Sequence, residues 1–179
     1  MAVQTKMTAD EFLRLPETSQ RTELIDGEII VTAPELDHQD ILLNTAFALK
    51  NLVPDGKVRV SPVDVYLDDF NLVQPDVLWA SAESKCVPFG KKYMRGAPEL
   101  VVEVLSPSTA LRDKGVKFRL YEAHGVHEYW IIDPAAQYVE VWQRSGEKFE
   151  RHGVFGAGES FVSAALGQKA VEVSEIFKA

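Results

Sequence analysis

Two apolar stretches in the middle of the chain each hold a carboxylate that packing does not call for. Residues 73–80 read VQPDVLWA and carry Asp76; residues 99–106 read ELVVEVLS and carry Glu103. Val, Leu and Trp in such density predict covered strands. A carboxylate in a covered strand costs several kcal/mol unless it is paired, hydrogen-bonded or bound to a metal. Side chains alternate along a strand, so Glu99, Val101, Glu103 and Leu105 share one face and Leu100, Val102 and Val104 the other. Pro75 favours an extended start at Asp76. If the two strands are neighbours, Asp76 and Glu103 meet, and two hard carboxylates suit Mg²⁺ or Mn²⁺, completed by water and a backbone carbonyl. The same residues also allow a plainer reading, in which Glu103 pairs with a nearby Lys or Arg at a strand end.

The flanking chain supplies helices and further strands. Thr8 to Glu11 has capping-box spacing, with Phe12 and Leu15 as a short apolar face and Pro16 as the stop. In RTELIDGEIIVTA, Asp26-Gly27 between two apolar runs predicts an N-terminal β-hairpin. Glu23 and Glu28 then read as surface residues, Glu23 reaching a site only if its strand lies beside one. Leu42, Ala46, Leu49 and Val53 recur at helical spacing, predicting a helix over 38–52 with Asp37 as N-cap and His38 a cap or surface contact at its start. KVRVSPVDVYL reads as a bent or edge strand interrupted at Ser61-Pro62. Residues 81–98 read as a long loop with one helical turn near Ala82. Lys85, Lys91, Lys92 and Arg95, interleaved with Phe89 and Tyr93, read there as a solvated cluster, with phosphate contact the alternative.

After the turn Ser106-Pro107-Ser108-Thr109, the segment ALRDKGVKFRLYEAHG predicts a helix closed by Gly125. Asp113, Lys117 and Tyr121 fall at successive i,i+4 steps on one face, and Gly115 weakens the helix slightly. For Lys117 alone, a surface ion pair with Asp113 explains the spacing. HEYWIIDP predicts a buried strand ended by Pro134, and YVEVWQR with KFERHG a hairpin across Ser145-Gly146. The remainder reads as loop, one short strand near Phe161 and a terminal helical turn.

Composition sets bounds on function. The 179 residues are 46% hydrophobic and 26% charged, which fits one soluble domain over residues 1–179. No run approaches the ~18 apolar residues of a membrane span, and MAVQTKMTADEF lacks the apolar core of a leader. Cys86 is the only cysteine, excluding an internal disulfide and a thiolate zinc site and making the cytoplasm the simplest setting. A formal net charge of −8 counts against a broad non-specific nucleic-acid surface.

The ordered pieces ELIDGEII, His38, QPDVLW, ELVVEVLSPST, the spaced Asp113, Lys117 and Tyr121, and HEYWIIDP run from about residue 8 to residue 143. In this set the chain resembles the PD-(D/E)XK nuclease superfamily, and within it the Uma-two family of restriction-endonuclease-like proteins. EVLSPS followed by D-x-x-x-K-x-x-x-Y is the most specific part. The resemblance implies an α/β (α+β) restriction endonuclease-like fold, a central mixed sheet flanked by helices, and divalent-metal phosphodiester hydrolysis. It makes Asp76 and Glu103 metal ligands, with the Val104 carbonyl as a third. The superfamily lysine two residues after the acid is here Leu105, so a lysine from the following helix takes its part. Lys117 is the candidate, since Lys114 lies off the stripe.

The mechanism expected from these residues has Mg²⁺ (or Mn²⁺) between Asp76 and Glu103, Lys117 orienting water and countering charge, and Glu23 completing the site. The expected partner is nucleic acid, DNA before RNA, with a homodimer formed by exposed strand edges. Two other classes stand beside it: a nuclease fold that has lost its chemistry and serves as a binding or assembly module, and a metal-dependent hydrolase of a non-nucleic-acid substrate.

Overall fold

The structure, a computed structural model, describes residues 6–16, 18, 20–32 and 36–178. The stretch before Lys6, read as lacking a leader, and the side chain of Asp37, read as an N-cap, lie outside the described residues. A short helix α1 (Ala9–Phe12) begins with the expected capping box: the Thr8 hydroxyl accepts from Glu11 N at 3.3 Å and Thr8 N donates to Glu11 Oε2 at 2.8 Å. Strands β1 (Arg21–Ile25) and β2 (Glu28–Thr32) form the predicted hairpin. Its turn needs positive φ at both central residues, and Asp26 and Gly27 sit at 51° and 78°. Helix α2 (Leu36–Leu52) starts two residues before the expected boundary, which leaves Asp37 inside its first turn.

Strands β3 (Lys57–Val60), β4 (Asp64–Asp68), β5 (Asn71–Val73) and β6 (Val77–Ala80) follow in quick succession. Both sequence runs in this region divide between sheets. The predicted bent strand over 57–67 becomes β3 in one sheet and β4 in the other, and VQPDVLWA becomes β5 in one and β6 in the other. Gln74, Pro75 and Asp76 are the crossing, so Asp76 stands at the seam between two sheets. Pro75 cannot donate to a ladder, which suits the break. Residues 81–98 are not the structureless loop expected. They contain β7 (Val87–Phe89) and β8 (Tyr93–Arg95), paired antiparallel around Gly90, with no helix near Ala82. The Arg95 guanidinium lies 3.7 Å from the Phe89 ring centre and 4.8 Å from that of Tyr66, so part of the basic cluster is stacked on aromatics.

Strand β9 (Leu100–Val104) is fully buried. The helix predicted over 110–125 is split into α3 (Ala110–Arg112), a π-helical turn Asp113–Lys117, and α4 (Phe118–His124) ended by Gly125 at φ 84°. Strands β10 (Glu128–Asp133), β11 (Tyr138–Ser145) and β12 (Lys148–Gly156) complete the central sheet. The end of the chain holds β13 (Ser160–Ser163), a second strand β14 (Lys169–Glu172) that was not expected, and α5 (Val173–Ile176).

Among the described residues the central sheet runs β12-β11-β10-β9-β6-β3, and a second sheet runs β2-β1-β5-β4-β8-β7. β9 and β10 pair parallel while the other central neighbours pair antiparallel, giving a mixed sheet. Alternation on β9 works as the sequence demands. Leu100, Val102 and Val104 enter a core with α2 and α5; Val101 and Leu105 enter one with Tyr121, Tyr129, Val65 and Val73. Glu103 points into this second core, between the central sheet, the second sheet and the helical segment after β9. Among the described residues no helix is long and apolar enough to cross a membrane.

A further buried carboxylate, Glu128, ties β13 to the central sheet. Its Oε1 accepts from Trp130 Nε1 at 2.6 Å and Ser163 Oγ at 2.7 Å; its Oε2 accepts from Ala164 N at 2.8 Å, Ala165 N at 3.2 Å and Gln143 Nε2 at 3.2 Å. Donors meet both oxygens, so an amide in either orientation sets N–H against N–H. Glu128→Gln is expected to lower unfolding stability by about 2–4 kcal/mol. Denaturant unfolding measures it, and a change under about 0.5 kcal/mol, the level of an ordinary surface site, would contradict the role given to Glu128.

Candidate active site

The seam between the sheets concentrates charge. Asp76 precedes β6, whose first residue Val77 lies opposite Val102 of β9. One step further along the antiparallel register, Asp76 comes opposite Glu103 on the same face. The two acids are thus brought together as the sequence expected. Asp76 Oδ2 accepts from Val104 N at 2.7 Å and meets His38 Nε2 at 3.0 Å. Since N–H and C=O of a strand residue point to the same neighbour, the Val104 carbonyl also faces Asp76.

Glu103 is held from the helical side. Its Oε1 accepts from Lys117 Nζ at 2.9 Å and from the Tyr121 hydroxyl at 2.6 Å. Lys117 is 2% exposed, and its ammonium also lies 2.9 Å from Glu23 Oε1 and 3.8 Å from Asp113 Oδ1. The surface ion pair that would have explained its spacing is therefore ruled out. Lys114, by contrast, is half exposed and bonds Tyr138 at 3.2 Å, away from the cluster. Two further readings need correction. Glu23 is buried, not on an exposed hairpin, and its Oε1 accepts from Gln74 N at 2.7 Å. Its strand β1 pairs with β5 beside the seam, which is the condition the sequence left open. His38 is likewise buried against Asp76.

The sequence reading missed Arg21. Its Nη1 lies 2.5 Å from Asp76 Oδ1, its Nη2 lies 3.9 Å from Glu103 Oε2, and Nη2 also donates to the Gln74 carbonyl. The signal was there: Arg21 is two residues before Glu23 on one strand, so both side chains share a face. The π-helical turn was missed too. It places Asp113 and Lys117 on the buried side, and Tyr129 donates its hydroxyl to the Asp113 carbonyl at 3.1 Å. Single π turns often mark functional sites.

These side chains line a cavity of about 20 Å³, bounded by Arg21, Glu23, His38, Asp76, Glu103 and Lys117, among others. A larger cavity of about 660 Å³ shares His38 and continues past Leu105, Ser106 and Pro107. The donor chemistry fits a hard divalent ion: buried carboxylates, a backbone carbonyl, and an Asp113 Oδ1 with no hydrogen-bond partner. As the side chains stand, no three His, Cys, Asp or Glu residues among those described converge on a metal position. The Arg21 guanidinium and Lys117 ammonium lie between the acids instead.

Protonation follows from this crowding. Glu103 is pushed up to about 8, chiefly by burial and further by Asp76, Asp113 and Glu23, against the opposing pull of Lys117. Asp76 is lowered to about 2 despite burial, because the His38 hydrogen bond and the Arg21 charge favour its ionised form. Asp113 is raised, mainly by burial. Lys117 is held protonated by Glu103, Glu23 and Asp113, which outweigh its burial.

The fold and this buried acid–base cluster define a restriction endonuclease-like protein. The chain belongs to the Uma2 family, described as "Putative restriction endonuclease", which it matches over residues 9–173. It is 29% identical to an uncharacterized protein of Synechocystis sp. over 148 residues, covering 79% of this chain and 83% of that protein. A second uncharacterized Synechocystis protein is 28% identical over 153 residues, covering 79% and 76%. The fold is also similar to that of a crystal structure described as a "putative nuclease belonging to DUF820" from Anabaena variabilis. The TM-score is 0.78, with 23% identity, over 96% of this chain and 97% of that one.

The pKa directions set a pH dependence of stability. Glu103 binds its proton more tightly folded than unfolded, so its contribution is full below the ordinary 4.5 and is lost as pH rises through about 8. Asp76 acts oppositely: its contribution is present above the ordinary 3.8 and is lost as pH falls through about 2. In EDTA, denaturant unfolding should show stability falling between pH of about 4.5 and about 8, with a shallower fall in Glu103→Gln. An equal slope in both proteins would contradict the assignment.

Proposed function

We propose that the protein is a divalent-metal-dependent endonuclease that hydrolyses phosphodiester bonds of DNA. The observation that carries this reading is the pairing of Asp76 and Glu103 across β6 and β9, facing one small cavity. The cluster supports it by gathering four buried carboxylates, Glu23, Asp76, Glu103 and Asp113, around three basic side chains, Arg21, Arg112 and Lys117. With every carboxylate ionised the acids outnumber these cations, and a divalent cation entering the seam would favour the ionised form of Glu103.

On this reading Asp76, Glu103 and the Val104 carbonyl hold Mg²⁺ or Mn²⁺. The chemistry such an ion supplies is Lewis acidity: charge neutralisation at the phosphoryl group and easier deprotonation of the attacking water. The remaining work falls to the protein. Glu103 would hold the ion as a carboxylate, its proton passing to solvent, and the Tyr121 hydroxyl keeps its Oε1 oriented. Lys117 supplies fixed positive charge where negative charge develops, in place of the residue at 105. Leu105 itself is buried apolar packing. Glu23 acts as a positioning residue, holding the Lys117 ammonium. His38, shared by both cavities, fixes Asp76 and marks the side from which substrate approaches.

The protein works on this reading in the cytoplasm as one domain over residues 1–179, and as a homodimer joined at free strand edges such as that of β12. A second reading, a nuclease fold kept as a binding or assembly module, is favoured by the arginine that spans the two acids.

Purified protein should nick supercoiled plasmid with Mg²⁺ or Mn²⁺ and not with EDTA. Asp76→Asn and Glu103→Gln should each lower the rate by about 10²-fold or more, with circular dichroism unchanged. Wild-type activity in folded Asp76→Asn protein would overturn the assignment, and an inert wild type would favour the binding module.

A further inference from the structure

Arg21 is less enclosed than the two acids it meets and than Lys117. Its side chain is 15% exposed, whereas those of Asp76, Glu103 and Lys117 are 2% exposed. It reaches both acids, at 2.5 Å from Asp76 Oδ1 and 3.9 Å from Glu103 Oε2. It therefore stands where a cation shared by the two carboxylates must stand. Its Nε has no hydrogen-bond partner, so the guanidinium is only partly satisfied there. It arrives on β1, in the second sheet, while β6 and β9 carry or adjoin the acids in the central sheet. Moving it outward disturbs neither carboxylate strand. Lys117 offers no such exit, being enclosed by three carboxylates.

We propose that Arg21 is an exchangeable counter-cation: it bridges Asp76 and Glu103 in the metal-free protein, and a divalent cation entering between them displaces it toward the cavity mouth. The proposal rests on the metal-binding reading given under Proposed function. Two facing carboxylates in a desolvated seam repel each other when both are ionised, and a positive charge between them relieves that repulsion. Arginine stays charged at any working pH, so it cannot vacate the site by losing a proton and must move. The exchange lets the acids stay preorganised before metal arrives, at the cost of competition for the same oxygens. Arg21 is here a positioning residue that acts through the two carboxylates.

The test is calorimetric titration of Mn²⁺ into full-length wild type and Arg21→Gln, with thermal unfolding of each in EDTA and in saturating Mn²⁺. Removing the competitor should tighten Mn²⁺ binding by about tenfold or more. It should also lower the melting temperature in EDTA far more than in Mn²⁺. Equal Mn²⁺ affinity in the two proteins would overturn the exchange while leaving the metal site standing. Weaker affinity in Arg21→Gln would overturn it as well, since Arg21 would then be building the site. Absence of binding in both would overturn the metal reading and the exchange with it. Should Arg21→Gln fail to fold, the wild type answers directly: the Arg21 Nε–H resonance should shift on adding Mg²⁺, and an unmoved resonance would overturn the proposal.

Discussion

Burying more carboxylates than cations in one seam is the constraint on which the rest of this structure turns. Asp76, Glu103, Glu23 and Asp113 sit within a few per cent of full burial, where an unpaired charge costs several kcal/mol. Each element around the seam bears on that cost. β1 brings Arg21 and Glu23 from outside the central sheet, α2 brings His38, and the π-helical turn brings Lys117 and Asp113. The fold is thus a support for a cluster that stability alone does not require. Replacing buried ion pairs by apolar side chains of similar volume is often neutral or stabilising.

Much of this was legible in the sequence because it rests on short-range rules. The Asp26-Gly27 hairpin, the capping box at Thr8, the alternation along β9 and the stop at Gly125 all follow from local chemistry. The meeting of Asp76 and Glu103 followed from two covered strands being neighbours. The family resemblance carried Lys117, which spacing alone would have left on the surface.

What escaped was set by tertiary context. The only local mark on Arg21 is the face it shares with Glu23 on β1, and that face is not known to be covered until the second sheet packs on the first. Glu23 looked exposed for the same reason. The π turn at Asp113–Lys117 leaves no mark on the i,i+4 spacing of the sequence, although it alters both the hydrogen-bond ladder and the direction of its side chains. The β7–β8 hairpin was hidden by its charges, which obscured the alternation of Val87, Phe89, Tyr93 and Arg95. The division of VQPDVLWA between sheets was masked because Val73 and the run Val77–Ala80 are apolar on either side of Pro75, which was read as a strand start instead of a crossing. Glu128 drew no attention as a single acid at a strand start, yet it gathers donors from three strands and the turn after β13.

The central claim is that Asp76 and Glu103 together hold a cation. Crystals soaked in Mn²⁺ and measured at an anomalous wavelength address it most directly. An anomalous peak within bonding distance of both carboxylates, with the Arg21 guanidinium moved aside, is the expected result. A map with no peak there and Arg21 still spanning the two acids would contradict it.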